Sequence, residues 1–138
     1  ILNTQQFRDY GKKRTKKAFF VGKQVNMGQH PKGCVEITRQ FATNQQALAD
    51  LLNECQVMYC YDHRTAMTEI ARLCGCRVVV FPSIVELETF KLYEPGMNGL
   101  GWGKDKKLDV KEFRNHYLGL RQKFWDKLDD FIEITQNA

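Results

Sequence analysis

The chain has 138 residues, 43% of them hydrophobic, which is enough for one domain with a single core of ordinary proportions. No apolar stretch reaches the roughly 20 residues of a membrane-spanning helix, and the N-terminus lacks the apolar segment of a signal peptide. The net charge of +5 favours an anionic partner, which leaves a nucleotide phosphate, a nucleic acid and an acidic membrane all open.

The opening segment, residues 1–17, is polar and ends in the cationic run of residues 12–17. Like charges repel one another when packed, so we expect a solvated basic lead-in, with a contact to phosphate or to anionic lipid as the alternative. The remaining residues, 18–138, are expected to form a single domain.

Two short apolar runs, residues 18–21 and 34–38, have the length of strands and are expected to be buried. A helix is predicted after them, because Thr43 and Gln46 have the spacing of a capping box and apolar residues then recur at helical intervals up to Cys55.

The middle of the chain alternates strand, helix and strand. Residues 57–61 and 77–81 are continuous apolar runs typical of strands in a parallel sheet, and residues 66–74 form a predicted helix that ends at Gly75. This βαβ pattern predicts an α/β fold, a Rossmann-like parallel sheet flanked by helices.

The last third is predicted to contain a helix over residues 84–93 and a loop over residues 94–103, which hold four glycines. Trp102 in that loop either stacks on a ligand or anchors the core. From Asp109 onward a long amphipathic helix is predicted, broken near Gly119, whose aromatic stripe packs across the sheet as core.

The five cysteines, at positions 34, 55, 60, 74 and 76, are odd in number and irregularly spaced. They are therefore expected to be reduced, buried thiols of a cytosolic protein. No metal site is expected, because a zinc knuckle needs paired cysteines or added histidines that this sequence lacks.

Ligands of open parallel sheets bind beyond the carboxyl ends of the strands. The residues expected there suit an anion, since they offer cationic side chains and a helix that begins near Thr65 with unpaired amides. Glu69, one turn inside that helix, either accepts hydrogen bonds from a ribose or only complements the helix dipole. His63 is either a donor to a phosphate oxygen or a solvated side chain. The residues that follow the strands are Gly22, Lys23, Thr38, Arg39, Asp62, His63, Arg64, Thr65, Pro82 and Ser83.

Residues 59–82 resemble the donor-site segment of GT-B glycosyltransferases, particularly those of bacterial surface polysaccharide synthesis. The likeness covers a strand, a phosphate-binding helix start, Glu69, Gly75 and the next strand, in that order. Residues 19–23 are similar to an earlier strand and glycine turn of that domain, and residues 96–103 resemble its late glycine-rich loop.

The resemblance implies that Glu69 holds the ribose of a nucleotide-sugar and that the amides around Arg64, Thr65 and Ala66 meet its diphosphate. Lys23 and Arg39 would be charge partners of that diphosphate. Gly22 and His63 complete the expected donor-binding set, and the catalytic residue is left unassigned. The nucleotide-sugar is a substrate, so no separate cofactor is expected.

Retaining members of the family often carry a second glutamate, in contact with the transferred sugar, where this chain has Tyr61. The chain begins at Ile1 and has room for one domain only, so the N-terminal acceptor domain of a GT-B enzyme is expected to be missing and this piece alone inactive. The expected location is the cytoplasm, with peripheral contact to the inner membrane face as an open alternative.

Two other functions compete with the glycosyltransferase prediction. The first is a non-catalytic module that binds a nucleotide or a phosphorylated ligand, and Tyr61 in place of the glutamate favours it. The second is nucleic-acid binding through the basic lead-in, for which the sequence shows no recognition motif.

Overall fold

A five-stranded parallel sheet organises the protein. The structure, a computed structural model, describes residues 2–82, 87–92, 94, 96–105 and 109–136, with the backbone alone for 129–136. The strand order is β2-β1-β3-β4-β5, and all four described pairs are parallel. The predicted α/β Rossmann-like fold is thereby confirmed. The strands are β1 (Lys16–Phe20), β2 (Val35–Glu36), β3 (Cys55–Cys60), β4 (Arg77–Val80) and β5 (Leu100–Trp102).

The apolar runs that predicted strands form the centre of the sheet. β3 lies between β1 and β4, with Phe19 opposite Tyr59 and Tyr59 opposite Val79. Parallel strands buried on both faces need apolar side chains at every position, which explains why these runs do not alternate.

β2 is shorter and more exposed than predicted. Only Val35 and Glu36 pair with β1, and both are exposed, Val35 at 39%. The strand lies at the edge of the sheet, and the buried residue of this segment is Ile37, which follows the strand and is 1% exposed.

The first helix, α1 (Gln45–Glu54), begins one residue later than the capping pattern implied. Its N-cap is Asn44, whose side chain accepts a hydrogen bond from the amide of Ala47 at 3.1 Å. Thr43 instead ends a short 3-10 turn, and Gln46 bonds to Asp50 rather than reaching back to the cap. The short turn moves the helix start by one residue, and Asn caps as well as Thr.

Two further helices connect the later strands. α2 (Met67–Leu73) ends before Gly75, whose φ of +84° is the left-handed conformation predicted for it. α3 (Leu87–Lys91) occupies part of the helix predicted over residues 84–93, of which 84–86 and 93 lie outside the described residues.

The prediction of a loop throughout residues 94–103 was wrong, because β5 lies inside it. Leu100, Gly101 and Trp102 pair with Val78, Val79 and Val80 of β4. Local composition indicated a loop, but glycine does not prevent backbone pairing where a neighbouring strand offers an open edge. Trp102 anchors this edge, since its ring lies 4.8 Å from that of Phe90.

The last helix, α4 (Lys111–Gln136), is continuous through Gly119, contrary to the predicted break. A single glycine costs about 1 kcal/mol relative to alanine, too little to interrupt a helix of 26 residues. Nor is its aromatic stripe all core. Phe113 is fully buried, whereas Phe124 is 53% exposed. No helix in the described part of the chain is long and apolar enough to cross a membrane.

The basic lead-in is only partly solvated. Its four lysines are exposed as expected, but Phe7 is 2% exposed and belongs to the core. Arg14 lies half-buried, and its guanidinium donates to the carbonyl oxygens of Leu52, Cys55 and Cys74. Arg14 therefore holds the segment against α1, β3 and the end of α2, because one guanidinium can donate to several carbonyl oxygens at once.

The core is divided by the sheet into two clusters. The larger cluster takes the buried apolar residues of all four helices, so α1 to α4 lie on one face. On the other face the buried side chains come from the strands and their ends, with Val21 and Cys34 packed against them. The residues of this second cluster are Phe19, Val57, Tyr59, Tyr61, Val79 and Phe81.

Candidate functional site

Two cavities adjoin at the carboxyl ends of the strands. The chain moves from β1 to β2 in one direction and to β3 in the other, so a crevice opens between β1 and β3, where ligands of such sheets bind. The smaller cavity, of about 320 Å³, lies there, and the larger one, of about 510 Å³, lies beside α2 and α3. Arg64 and Thr65 line both, so the two cavities share a wall.

The smaller cavity is surrounded by positive charge. Lys23, Arg39 and Arg64 line it, and all three are exposed. None of them has an ion-pair partner among the described residues, so their charges are free to meet an anion. Phe20 and Gln24 complete the wall on the β1 side.

Among the described residues that line this cavity, Asp62 is the one carboxylate, and its oxygens are bound to backbone amides. It is 7% exposed, and its two oxygens accept hydrogen bonds from the amides of Lys23 at 3.3 Å and Arg64 at 3.0 Å. Asp62 thus holds the loop after β1 against the turn after β3. The close approach requires Gly22, because a Cβ there would lie 2.6 Å from an Asp62 oxygen.

The turn between β3 and α2 lines both cavities. The amide of Arg64 is bound to Asp62, and that of Met67 donates to Oγ1 of Thr65 at 3.2 Å. The amides of Thr65 and Ala66 have no hydrogen-bond partner among the described residues. Of the three amides expected to meet a diphosphate, the structure leaves these two available and assigns that of Arg64 to the fold.

Glu69 lies on the wall of the larger cavity, one turn into α2. Burial raises the pKa of its carboxyl, an effect that the nearby Arg72 opposes. His63 lines the same cavity, and both of its ring nitrogens are buried without a partner among the described residues. Its ring nitrogens are therefore not solvated, in contrast to one of the two alternatives for this residue. Unpaired buried nitrogens are uncommon and suit a site that a ligand oxygen fills.

The floor of the larger cavity is fixed by a buried ion pair. The side chain of Arg72 is 0% exposed and that of Glu94 is 6% exposed, and the two are in contact. Burial raises the pKa of Glu94 to about 7 despite the attraction of Arg72. Arg72 also donates to the carbonyl oxygens of Thr68, Gly96 and Asn98, so it ties α2 to the segment before β5.

The structure brings together every residue of the predicted donor-binding set. Glu69, Ala66 and His63 line the larger cavity, Gly22, Lys23 and Arg39 line the smaller one, and Arg64 and Thr65 line both. Their placement agrees with the prediction, while their part in binding stays a prediction.

Several wall residues were not among the predicted set. Asp62 was named among the residues that follow the strands, but it was not assigned to the donor-binding set. Thr89, Phe90 and Glu94 belong to α3 and the segment after it, and no pattern in the sequence indicates that this segment folds back over α2.

Comparison of the chain with protein-family models, with curated proteins and with solved structures found no significant match. The resemblance to glycosyltransferases therefore depends on the segments that carry it. Within the described ranges no three His, Cys, Asp or Glu side chains come together as metal ligands.

Proposed function

We propose that this chain is the nucleotide-sugar-binding domain of a GT-B glycosyltransferase that transfers a sugar to a glycan or lipid-linked acceptor, as in bacterial polysaccharide synthesis. One observation carries the proposal: three cations without an ion-pair partner in the described part of the chain line a cavity that shares Arg64 and Thr65 with the cavity of Glu69. A diphosphate next to a ribose needs this combination of positive charge and a nearby carboxylate.

In this proposal the diphosphate lies at the wall common to the two cavities. Lys23, Arg39 and Arg64 compensate its charge, and the amides of Thr65 and Ala66 donate to its oxygens. Glu69 accepts from the ribose hydroxyls in the larger cavity, where His63 can meet a further oxygen.

Sugar transfer leaves negative charge on the departing nucleoside diphosphate. Cations and amides arranged before the reaction stabilise such charge without reorganising, and this domain would supply them. The acceptor, and the group that activates it, would lie on a second domain, so the domain alone is expected to bind the donor without transferring sugar.

The test is a calorimetric or NMR titration of the protein with uridine, guanosine and thymidine diphosphates. One of them is expected to bind more tightly than its monophosphate, because the second phosphate adds charge facing the cations. Glu69→Ala should weaken binding by about tenfold or more, since hydrogen bonds to charged groups contribute about 1.5–3 kcal/mol.

Glu112→Ala is the matched control, because Glu112 is an exposed glutamate in the first turn of α4, outside both cavities. It should leave the affinity unchanged. The proposal fails if no diphosphate binds, or if Glu69→Ala and Glu112→Ala behave alike. Binding to single-stranded nucleic acid with steep salt dependence would instead favour the basic lead-in.

A non-catalytic module for a nucleotide or phosphorylated ligand is the second candidate, and the state of Tyr61 favours it. Tyr61 is 2% exposed and its hydroxyl is bound to protein groups, so it does not replace the sugar-contacting glutamate of retaining enzymes. A donor site should gain affinity from the sugar of a nucleotide-sugar, whereas a nucleotide module should bind the free diphosphate equally well or better.

A further inference from the structure

The connection between β1 and β2, residues 21–34, forms part of the smaller cavity and contains no helix. It lies on the face of the sheet opposite α1 to α4, since Val21 and Cys34 pack on the second core cluster. Its first residues, Gly22, Lys23 and Gln24, line the smaller cavity. A segment without its own hydrogen-bond ladder needs anchors elsewhere to hold such residues in place.

The hydroxyl of Tyr61 is the anchor of this connection. It accepts hydrogen bonds from the amides of Gln29 at 2.8 Å and His30 at 3.1 Å, which use both of its lone pairs. Its third contact, to Nδ1 of His30 at 2.6 Å, must therefore be made with its own proton. His30 consequently accepts at Nδ1, and the neutral ring carries its proton on Nε2.

The ring of His30 fixes the same point by packing. It stacks on Phe19 of β1 with the centroids 3.9 Å apart and the planes 12° from parallel, and it meets the edge of Tyr61 at 5.8 Å. Tyr61 itself packs on Phe81 at 5.4 Å. The anchor is thus a buried, fully satisfied group on the sheet, which holds one rotamer.

The same connection is held a second time near its start. The amide of Lys23 donates to Asp62, the residue that follows Tyr61. Two adjacent residues just after β3 therefore hold both ends of the segment 23–30, and Lys23 and Gln24 at its start line the smaller cavity.

We propose that Tyr61 is a positioning residue of the anion site, which keeps Lys23 and Gln24 at the cavity by fixing residues 29 and 30 through its hydroxyl. The inference rests on the proposed function, because it assigns Lys23 to a bound diphosphate. It gives Tyr61 a role different from that of the family glutamate: it acts on the ligand through the loop and makes no contact with the sugar.

The test compares Tyr61→Phe with Tyr59→Phe. Both remove one hydroxyl from a buried tyrosine that packs next to Phe81, but that of Tyr59 has no hydrogen-bond partner among the described residues. Without ligand, Tyr61→Phe should speed amide hydrogen exchange at Gln29 and His30 by about tenfold or more and change the imidazole nitrogen shifts of His30. Tyr59→Phe should change neither.

Affinity is then measured for the nucleoside diphosphate that the unchanged protein binds best. Tyr61→Phe should weaken it by about fivefold to tenfold, the size of one hydrogen bond's net contribution. In a Lys23→Met background, the loss of affinity caused by Tyr61→Phe should nearly vanish, because residues 23–30 then have no charge to position. A role confined to stability would give the same loss in both backgrounds.

Two results would overturn the role of Tyr61 and leave the proposed function standing. One is a diphosphate that binds Tyr61→Phe as tightly as the unchanged protein, and the other is losses of affinity that are fully additive for Tyr61→Phe and Lys23→Met. Failure of every diphosphate to bind the unchanged protein overturns the proposed function and, with it, the ligand role of Tyr61. The two failures are therefore distinguishable in one set of titrations.

Discussion

Gly22 shows how one residue type permits the crevice between β1 and β3. Its φ of +64° suits glycine, and Asp62 occupies the space that any side chain would need. Asp62 can then reach the amides on both sides of the crevice. A glycine turn after the first strand is visible in the sequence, whereas the carboxylate packed against it is a tertiary contact that no local pattern indicates.

Gly22→Ala is expected to destabilise the protein more than Gly28→Ala does. Both positions have positive φ, which costs an alanine about 1–2 kcal/mol, but a Cβ at Gly28 meets nothing within 4 Å. The clash with Asp62 should add about 1–3 kcal/mol at Gly22. Urea unfolding of the two variants measures the difference, and equal losses would show that the crevice relaxes freely.

At the scale of elements, Arg72 joins pieces of structure that are distant in the chain. Its guanidinium is paired with Glu94, bonded to the segment before β5 and stacked 3.9 Å from the ring centre of Phe113 in α4. Burial lowers the pKa of Arg72 to about 10, which leaves it charged at neutral pH. Removing such a charge leaves its partner buried and unpaired.

Arg72→Met should therefore lower the free energy of unfolding by about 3–5 kcal/mol, as expected when one partner of a buried ion pair is lost. Adding Glu94→Gln should recover part of this loss, because the buried carboxyl must take up a proton once Arg72 is lost, whereas an amide is already neutral. The control is Arg77→Met, whose pair with Asp105 is about one quarter exposed and should contribute about 0–1 kcal/mol. A loss below that of Arg77→Met would contradict the prediction.

Elements with a strong local sequence pattern could be predicted, whereas elements that depend on a tertiary contact could not. β3, α2 and β4 follow from continuous apolar runs and a terminal glycine. β5 could not be found, because its glycines indicate a loop and only the open edge of β4 makes it a strand. The exposure of Phe124 was also missed, since helical spacing identifies an apolar face without showing what covers it.

The residues of the candidate site likewise fall into those that the sequence predicts and those that it does not. Residues that directly follow strands were predicted, because parallel topology brings all carboxyl ends to one edge. Glu94 and Phe90 were not, because their approach to α2 depends on how a later segment packs.

At the scale of the whole molecule, most thiols belong to the core. Cys55, Cys60, Cys74 and Cys76 are each 0% exposed, and burial raises the pKa of Cys60 and Cys74 to about 12. Cys34 at the sheet edge is only partly buried, and its pKa is raised less far from the ordinary 9.0. All five are free thiols.

We expect one thiol to react quickly with a disulfide reagent at pH 8 in the folded protein and all five to react in denaturant. Cys34→Ser should abolish the quick phase, and a second quick thiol in that variant would contradict the prediction. Stability should fall as the pH rises from 9 to about 12, because the unfolded chain releases its thiol protons first and the folded chain releases them only near about 12. Urea midpoints at pH 8 and pH 10.5 measure this.

The parallel pairing of the sheet also constrains the order in which the strands pair and the rate of folding. A tight turn cannot join two parallel neighbours, and the central pair brings Lys16 beside Cys55 only after β2 and α1 have been made. Closing such long loops precedes any gain from pairing, so we expect slow folding. On the ribosome, β1 must remain without its neighbour β3 until residues 55–60 have emerged, so that edge of β1 stays unpaired during the first part of synthesis.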